Sequence, residues 1–181
     1  MRIEPTPLQD ALVIEPRVMG DERGFFQETW NARDFGNAGL DLEFVQDNHS
    51  RSQRGVLRGL HLQNPNPQGK LVRVARGAVF DAIVDLRRSS STFGKSFGLV
   101  LSDANKRMLW VPPGFAHGFL TLEDETDFLY KCTALYDPQS EHSLAWNDAT
   151  AGIDWPLEGI ELSLSAKDRA GLKLTEIPSY P

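Results

Sequence analysis

The sequence predicts an all-β fold, an antiparallel sandwich or barrel with a few short helices. Ten short β-rich runs follow one another along the chain. Gly, Pro, Asn and Asp punctuate them at short intervals, and only two stretches suit a helix. The predicted strands are Ala11–Arg17, Gly24–Trp30, Glu43–Ser50, Val56–Gln63, Lys70–Ala75, Ala78–Leu86, Phe97–Ser102, Met108–Val111, Gly118–Leu122 and Asp127–Tyr136. Asn31–Gly39 suits a short helix that stops at Gly39. A second short helix opens at Ser165-Ala166-Lys167-Asp168, where a serine suits the N-cap.

Alternation within a strand assigns side chains to faces. In Lys70–Ala75, Lys70, Val72 and Val74 share one face and Leu71, Arg73 and Ala75 the other. A lysine beside two valines at a strand start suits the mouth of a barrel. In Asp127–Tyr136, Phe128, Tyr130, Cys132 and Ala134 share a mostly apolar face. Gln46 and Asn48 fall on the face of Phe44. In Val56–Gln63, Leu57, Gly59, His61 and Gln63 share a face, and Arg58 lies on the other. If Arg58 and His61 serve one pocket, a bulge or twist near Gly59 must re-aim one of them.

The 181 residues fit one domain spanning 1–181, long enough to bury a core. No apolar run approaches the roughly 20 residues that span a bilayer, and the N-terminus lacks the layout of a signal peptide. A single cysteine, Cys132, excludes an intrachain disulfide, and the cytoplasm is the simplest location. The net charge of -6 argues against non-specific nucleic-acid binding, though not against a local cationic pocket for a small anion.

His61, in Arg58-Gly59-Leu60-His61-Leu62-Gln63, is the side chain that most needs explaining. An imidazole accepts and returns a proton near neutral pH. It could equally hold a metal, or fill the core bonded to a carbonyl. The metal reading is weak. Gln63 stands where a cupin-type jelly roll would have a second histidine, no acid occurs from Asn64 to Leu71, and only His117 follows, in Pro112-Pro113-Gly114-Phe115-Ala116-His117. Taken singly, Lys70, Tyr130 and Asp168 each have bland readings: a strand-end lysine, a core tyrosine, a first-turn helix residue. Together with His61 they supply a base, a cation for an oxyanion, a weak acid and an orienting carboxylate. Those are the groups required to abstract a proton beside a carbonyl.

Several motifs occur in order. They include Asp21-Glu22-Arg23-Gly24-Phe25-Phe26-Gln27-Glu28, Gln46-Asp47-Asn48, Gly55-Val56-Leu57-Arg58-Gly59-Leu60-His61-Leu62-Gln63 and Gly69-Lys70-Leu71-Val72-Arg73. Trp110 to Phe119, Phe128-Leu129-Tyr130-Lys131 and Leu164-Ser165-Ala166-Lys167-Asp168 follow. Through these the chain, from about Leu12 to Asp168, resembles the dTDP-4-dehydrorhamnose 3,5-epimerase family. Leu62 is a mild departure, since an aromatic commonly follows this histidine there.

The resemblance implies a cupin-like jelly-roll barrel and an epimerase of dTDP-linked 4-keto-6-deoxy sugars that uses no metal and no organic cofactor. His61 would be the base at C3 and C5, Asp168 its partner, Lys70 the neighbour of the C4 oxygen, and Tyr130 the opposite-face acid. Arg58 and His117 would line the sugar and phosphate side, and Arg23, Glu28, Gln46, Asn48, Glu141 and Lys167 would contact the nucleotide sugar. The implied assembly is a homodimer whose N-terminal strands reach the partner, so that Arg23 and Glu28 serve the neighbouring site.

Overall fold

Thirteen strands and two short helices form in residues 1–181, which a computed structural model describes. The strands are β1 (Arg2–Pro5), β2 (Leu12–Glu15), β3 (Val18–Asp21), β4 (Gly24–Gln27), β5 (Gln46–Ser52), β6 (Leu57–Gln63), β7 (Lys70–Arg76), β8 (Ala78–Asp85), β9 (Ser96–Ser102), β10 (Met108–Val111), β11 (Phe115–Thr121), β12 (Thr126–Cys132) and β13 (Glu141–Ser143). Helix α1 covers Ala32–Asn37 and α2 Ala166–Arg169. One sheet has the order β1-β2-β10-β7-β12-β5, the other β13-β6-β11-β8-β9, and β3-β4 forms a separate hairpin. Every pairing between these strands is antiparallel.

Period-two alternation divides the apolar side chains among three layers. Between the sheets lie Val72 and Val74 of β7, Leu109 and Val111 of β10, Phe128 of β12, Val79 and Ile83 of β8, and Phe115 and Phe119 of β11. The alternate residues of the first sheet, Leu71, Met108 and Trp110, point outward against Phe35 of α1. Those of the second sheet, Ala82, Val84, Ala116 and Leu120, point outward beneath Leu144, Trp155, Ile177 and Tyr180. The irregular C-terminal segment is therefore the outer cover of the second sheet. Tyr180 anchors it, its hydroxyl donating to the Gln63 carbonyl.

The predicted faces of β7 and β12 hold, and most strand limits shift by a few residues. The run expected from Asp127 to Tyr136 ends at Cys132, and the one expected from Gly118 begins at Phe115. Strands β1, β3 and β13 have no counterpart among the predicted runs. Phe44 precedes β5, so the alternation does not reach it. It packs on Trp30 and Trp110 outside the sheet, while Gln46 and Asn48 face inward.

A bulge resolves the conflict between Arg58 and His61. His61 pairs with His117, but Arg58 pairs with Phe119, so β6 uses three steps where β11 uses two. The extra residue reverses the face of everything before it, and Arg58 and His61 both line one cavity. The bulge depends on Gly59 (φ 114°) lying against Gly118: a Cβ on Gly59 would sit 2.6 Å from the Gly118 Cα. Gly59→Ala is expected to destabilise the fold by roughly 2–4 kcal/mol, from backbone strain plus the clash. The midpoint of denaturant unfolding measures this, and a midpoint equal to wild type would show that the close approach is dispensable.

Candidate active site

The sheets separate at one end around a cavity of about 380 Å³. The second sheet contributes Arg58 and His61 from β6, His117 from β11 and Glu141 from β13. The first contributes Gln46 and Asn48 from β5, Lys70 from β7, and Tyr130 and Cys132 from β12; Lys167 reaches in from α2. His61 and Tyr130 thus approach the space from opposing sheets.

His61 Nε2 lies 2.7 Å from Asp168 Oδ1. The α2 turn positions that carboxylate. Ser165 caps the helix by accepting from the Asp168 amide, and its hydroxyl donates to Asp168 Oδ2 at 2.7 Å. The Gly59 amide donates to Oδ1 at 3.2 Å, which ties the dyad to the bulge. Burial would raise the Asp168 carboxyl, but bonds from His61 and Ser165 outweigh it and hold the group at about 2, below the ordinary 3.8. Burial pushes the His61 imidazole below its usual value, more than the Asp168 bond raises it. At neutral pH the pair is a neutral ring donating Nε2–H to a carboxylate, which leaves Nδ1 with the free lone pair.

Lys70 is 9% exposed and has no ion-pair partner; the nearby acids are taken, Glu141 by Lys167 at 2.6 Å and Asp81 by His117. Burial lowers its pKa, and the Asp81 and Glu141 charges oppose that. Tyr130 is half-buried. Burial raises its phenol above the ordinary value, so it stays protonated and able to donate at neutral pH. Arg58 donates from Nε to Ser52 Oγ at 3.1 Å. Gln46 donates to Asn48 Oδ1, and Asn48 in turn donates to the Cys132 thiol.

The cavity gathers all but three of the predicted residues. Asp168 sits behind His61 rather than on the wall. Arg23 and Glu28 are away from this chain's cavity: Arg23 is on the β3–β4 hairpin, 90% exposed and paired with Asp21, and Glu28 is exposed just after β4. Sequence reasoning missed Asp81, which is fully buried in β8 and bonded to His117 Nε2 at 3.0 and 3.1 Å. Its signal was an acid on the face of Val79 and Ile83 inside an apolar strand. It also missed Cys132 and Tyr136 as lining residues; Tyr136, past the end of β12, donates to Glu141 at 2.8 Å. Gln63, which displaced the expected metal ligand, donates to the Asn66 and Leu135 carbonyls and accepts from the Asp137 amide.

A jelly roll whose facing sheets aim a histidine and a tyrosine into one cavity beside a buried lysine, with an aspartate from α2 bonded behind the histidine, has the groups of a carbohydrate epimerase that works by proton transfer. The family model described as dTDP-4-dehydrorhamnose 3,5-epimerase matches residues 5–176, and the chain belongs to that family. A dTDP-4-dehydrorhamnose 3,5-epimerase of Methanothermobacter thermautotrophicus is 53% identical over 99% of this chain and 97% of its own. One of Pseudomonas aeruginosa is 51% identical over the full length of both. The crystal structure of dTDP-6-deoxy-D-glucose-3,5-epimerase from Legionella pneumophila, in complex with dTDP-4-keto-L-rhamnose, superposes with a TM-score of 0.94. It shares 50% identity and is matched over 98% of this chain and 94% of that one.

Proposed function

We propose that the protein converts dTDP-4-dehydro-6-deoxy-D-glucose into dTDP-4-dehydro-L-rhamnose, inverting C3 and C5 in dTDP-L-rhamnose biosynthesis. The carrying observation is the placement of His61 and Tyr130 on opposing sheets of one cavity that also buries Lys70. The C4 ketone acidifies the hydrogens on both neighbouring carbons. His61 Nδ1 takes one of them, and the C–H electron pair moves into an enolate whose charge collects on the C4 oxygen. Lys70 stabilises that charge in a cavity where water competes poorly. Tyr130 protonates the carbon from the other face, which inverts it. The tyrosinate then regains a proton from solvent and the imidazolium loses one, so the next cycle starts from the same state. No cofactor is needed for this chemistry. Arg58 suits the diphosphate by its guanidinium fork. Gln46, Asn48, His117, Glu141 and Lys167 hold the rest of the nucleotide sugar.

Turnover in deuterated water tests the reading. Deuterium should appear at both C3 and C5 of the product. Label at one carbon alone would make the protein a single-centre epimerase, and none at either would remove the mechanism.

The assembly we propose is a cytoplasmic homodimer of one jelly-roll unit per chain, spanning 1–181. Its support is the β3–β4 hairpin, where Val18, Met19, Phe25 and Phe26 are 42–63% exposed and Arg23 points away from its own cavity. In this arrangement Arg23 and Glu28 complete the partner's site. Sedimentation equilibrium should return twice the chain mass, and a monomer at micromolar concentration would exclude it.

A further inference from the structure

The chain passes from the first sheet to the second beside the cavity, between Cys132, where β12 ends, and Glu141, where β13 begins. The middle of that crossing, residues 135–137, is irregular, and Leu135 and Tyr136 are exposed. Two glutamines hold its backbone, one from each sheet. Gln46 of β5 accepts from the Tyr136 amide at 2.8 Å. Gln63 of β6 accepts from the Asp137 amide at 3.0 Å and donates to the Leu135 carbonyl at 3.2 Å and the Asn66 carbonyl at 2.9 Å. Gln63 is also the register partner of Glu141, whose carboxylate accepts from the Tyr136 hydroxyl at 2.8 Å. Gln63, Tyr136 and Glu141 all line the cavity. Gln63 is 4% exposed and both hydrogens of its amide are used, so it has no donor left for a ligand.

We propose that Gln63 is a positioning residue for ligand binding, one that ties the crossing to the second sheet and so fixes where Tyr136 meets Glu141. The proposal rests on the reading of Glu141 as a contact of the nucleotide sugar. Without the Gln63 amide, the Asp137 N–H and two carbonyls turn to water. The backbone of residues 135–137 then keeps a single bond to the strands, the one to Gln46. A ligand would have to order this segment as it binds, at a cost in affinity. Asp168 is held behind His61 by Ser165 and Gly59, so the dyad does not depend on the crossing. The loss therefore falls on binding and not on proton transfer.

The test is Gln63→Met, which keeps most of the side-chain volume and removes all three bonds. The Kd for dTDP, measured by calorimetry, should rise about tenfold, and the loss in turnover should fall on KM and not on kcat. Hydrogen exchange at the Asp137 amide of the ligand-free protein should quicken by about tenfold or more. Gln63→Ala, with room for water among the same three groups, repeats the measurements if the methionine variant does not fold. Unchanged dTDP affinity in a folded variant, or a loss confined to kcat, would overturn the proposal. A purely structural Gln63 would lower the melting temperature and leave that affinity in place. Failure of the epimerase reading would show in the wild type, in the deuterium experiment. Failure of this proposal shows only when variant and wild type are compared.

Discussion

Replacing His61 with glutamine is expected to lower kcat for epimerisation by about 10³-fold and to end deuterium uptake at both carbons. The glutamine amide nitrogen reaches the position of Nε2 and can still donate to Asp168, so the buried carboxylate keeps a partner and the fold keeps its dyad anchor. What disappears is the only basic lone pair of the dyad. In the proposed mechanism His61 works on the sugar and not on the nucleotide, so dTDP should bind within a few-fold of wild type, measured by calorimetry. Retained exchange at either carbon in the folded variant would assign that proton to another base.

Asp168→Asn is expected to reduce kcat by about 10²-fold through charge and not shape. The asparagine oxygen can take the place of Oδ1 and accept from His61 Nε2 and the Gly59 amide. Its NH2 then meets Ser165, whose hydroxyl can turn from donor to acceptor. The imidazole keeps its tautomer but loses the charge that stabilises the imidazolium. The wild-type carboxylate raises the His61 pKa against burial, so removing it lowers that pKa further. The acid limb of kcat/KM should therefore move to lower pH; an unmoved limb would mean that Asp168 only orients the ring.

Stability follows the carboxylate in a defined window. Its folded value of about 2 lies below the ordinary 3.8, so its stabilising contribution is present above about pH 4 and lost as pH falls towards 2. The difference in melting temperature between wild type and Asp168→Asn should narrow across that range.

Much of this site was legible because β7 and β12 alternate without interruption. Lys70 and Tyr130 could be placed beside Val72 and Phe128 by counting in twos. Counting failed in β6, because a bulge is a property of two strands. Nothing in Leu57–Gln63 alone says that β11 covers the same distance in one residue fewer. Strand β13 was illegible for a similar reason. Glu141-His142-Ser143 has no β-rich pattern and is held by pairing with Gln63, Leu62 and His61. Ile153, Trp155, Leu162 and Leu164 have no regular period, since they cover a sheet as coil. The partnership of Asp81 with His117 joins neighbouring strands, and a single strand's pattern shows an acid out of place without naming its partner.

The carboxylate behind His61 comes from outside both sheets. The chain after Leu144 crosses the back of the second sheet. There Ser163 bonds to Gly55 and Leu57, and one turn of helix then delivers Asp168 beneath Gly59. Lys167 apart, the proposed walls for a nucleotide sugar and the carboxylate behind the proposed base are therefore assembled by different parts of the chain. A molecule whose strands have closed but whose C-terminal cover has peeled away would keep every proposed ligand contact of this chain's cavity but Lys167 and would lose turnover. Recognition and chemistry in this fold can be lost one at a time, and hydrogen exchange at the Leu57 and Ser163 amides would report how often the second fails first.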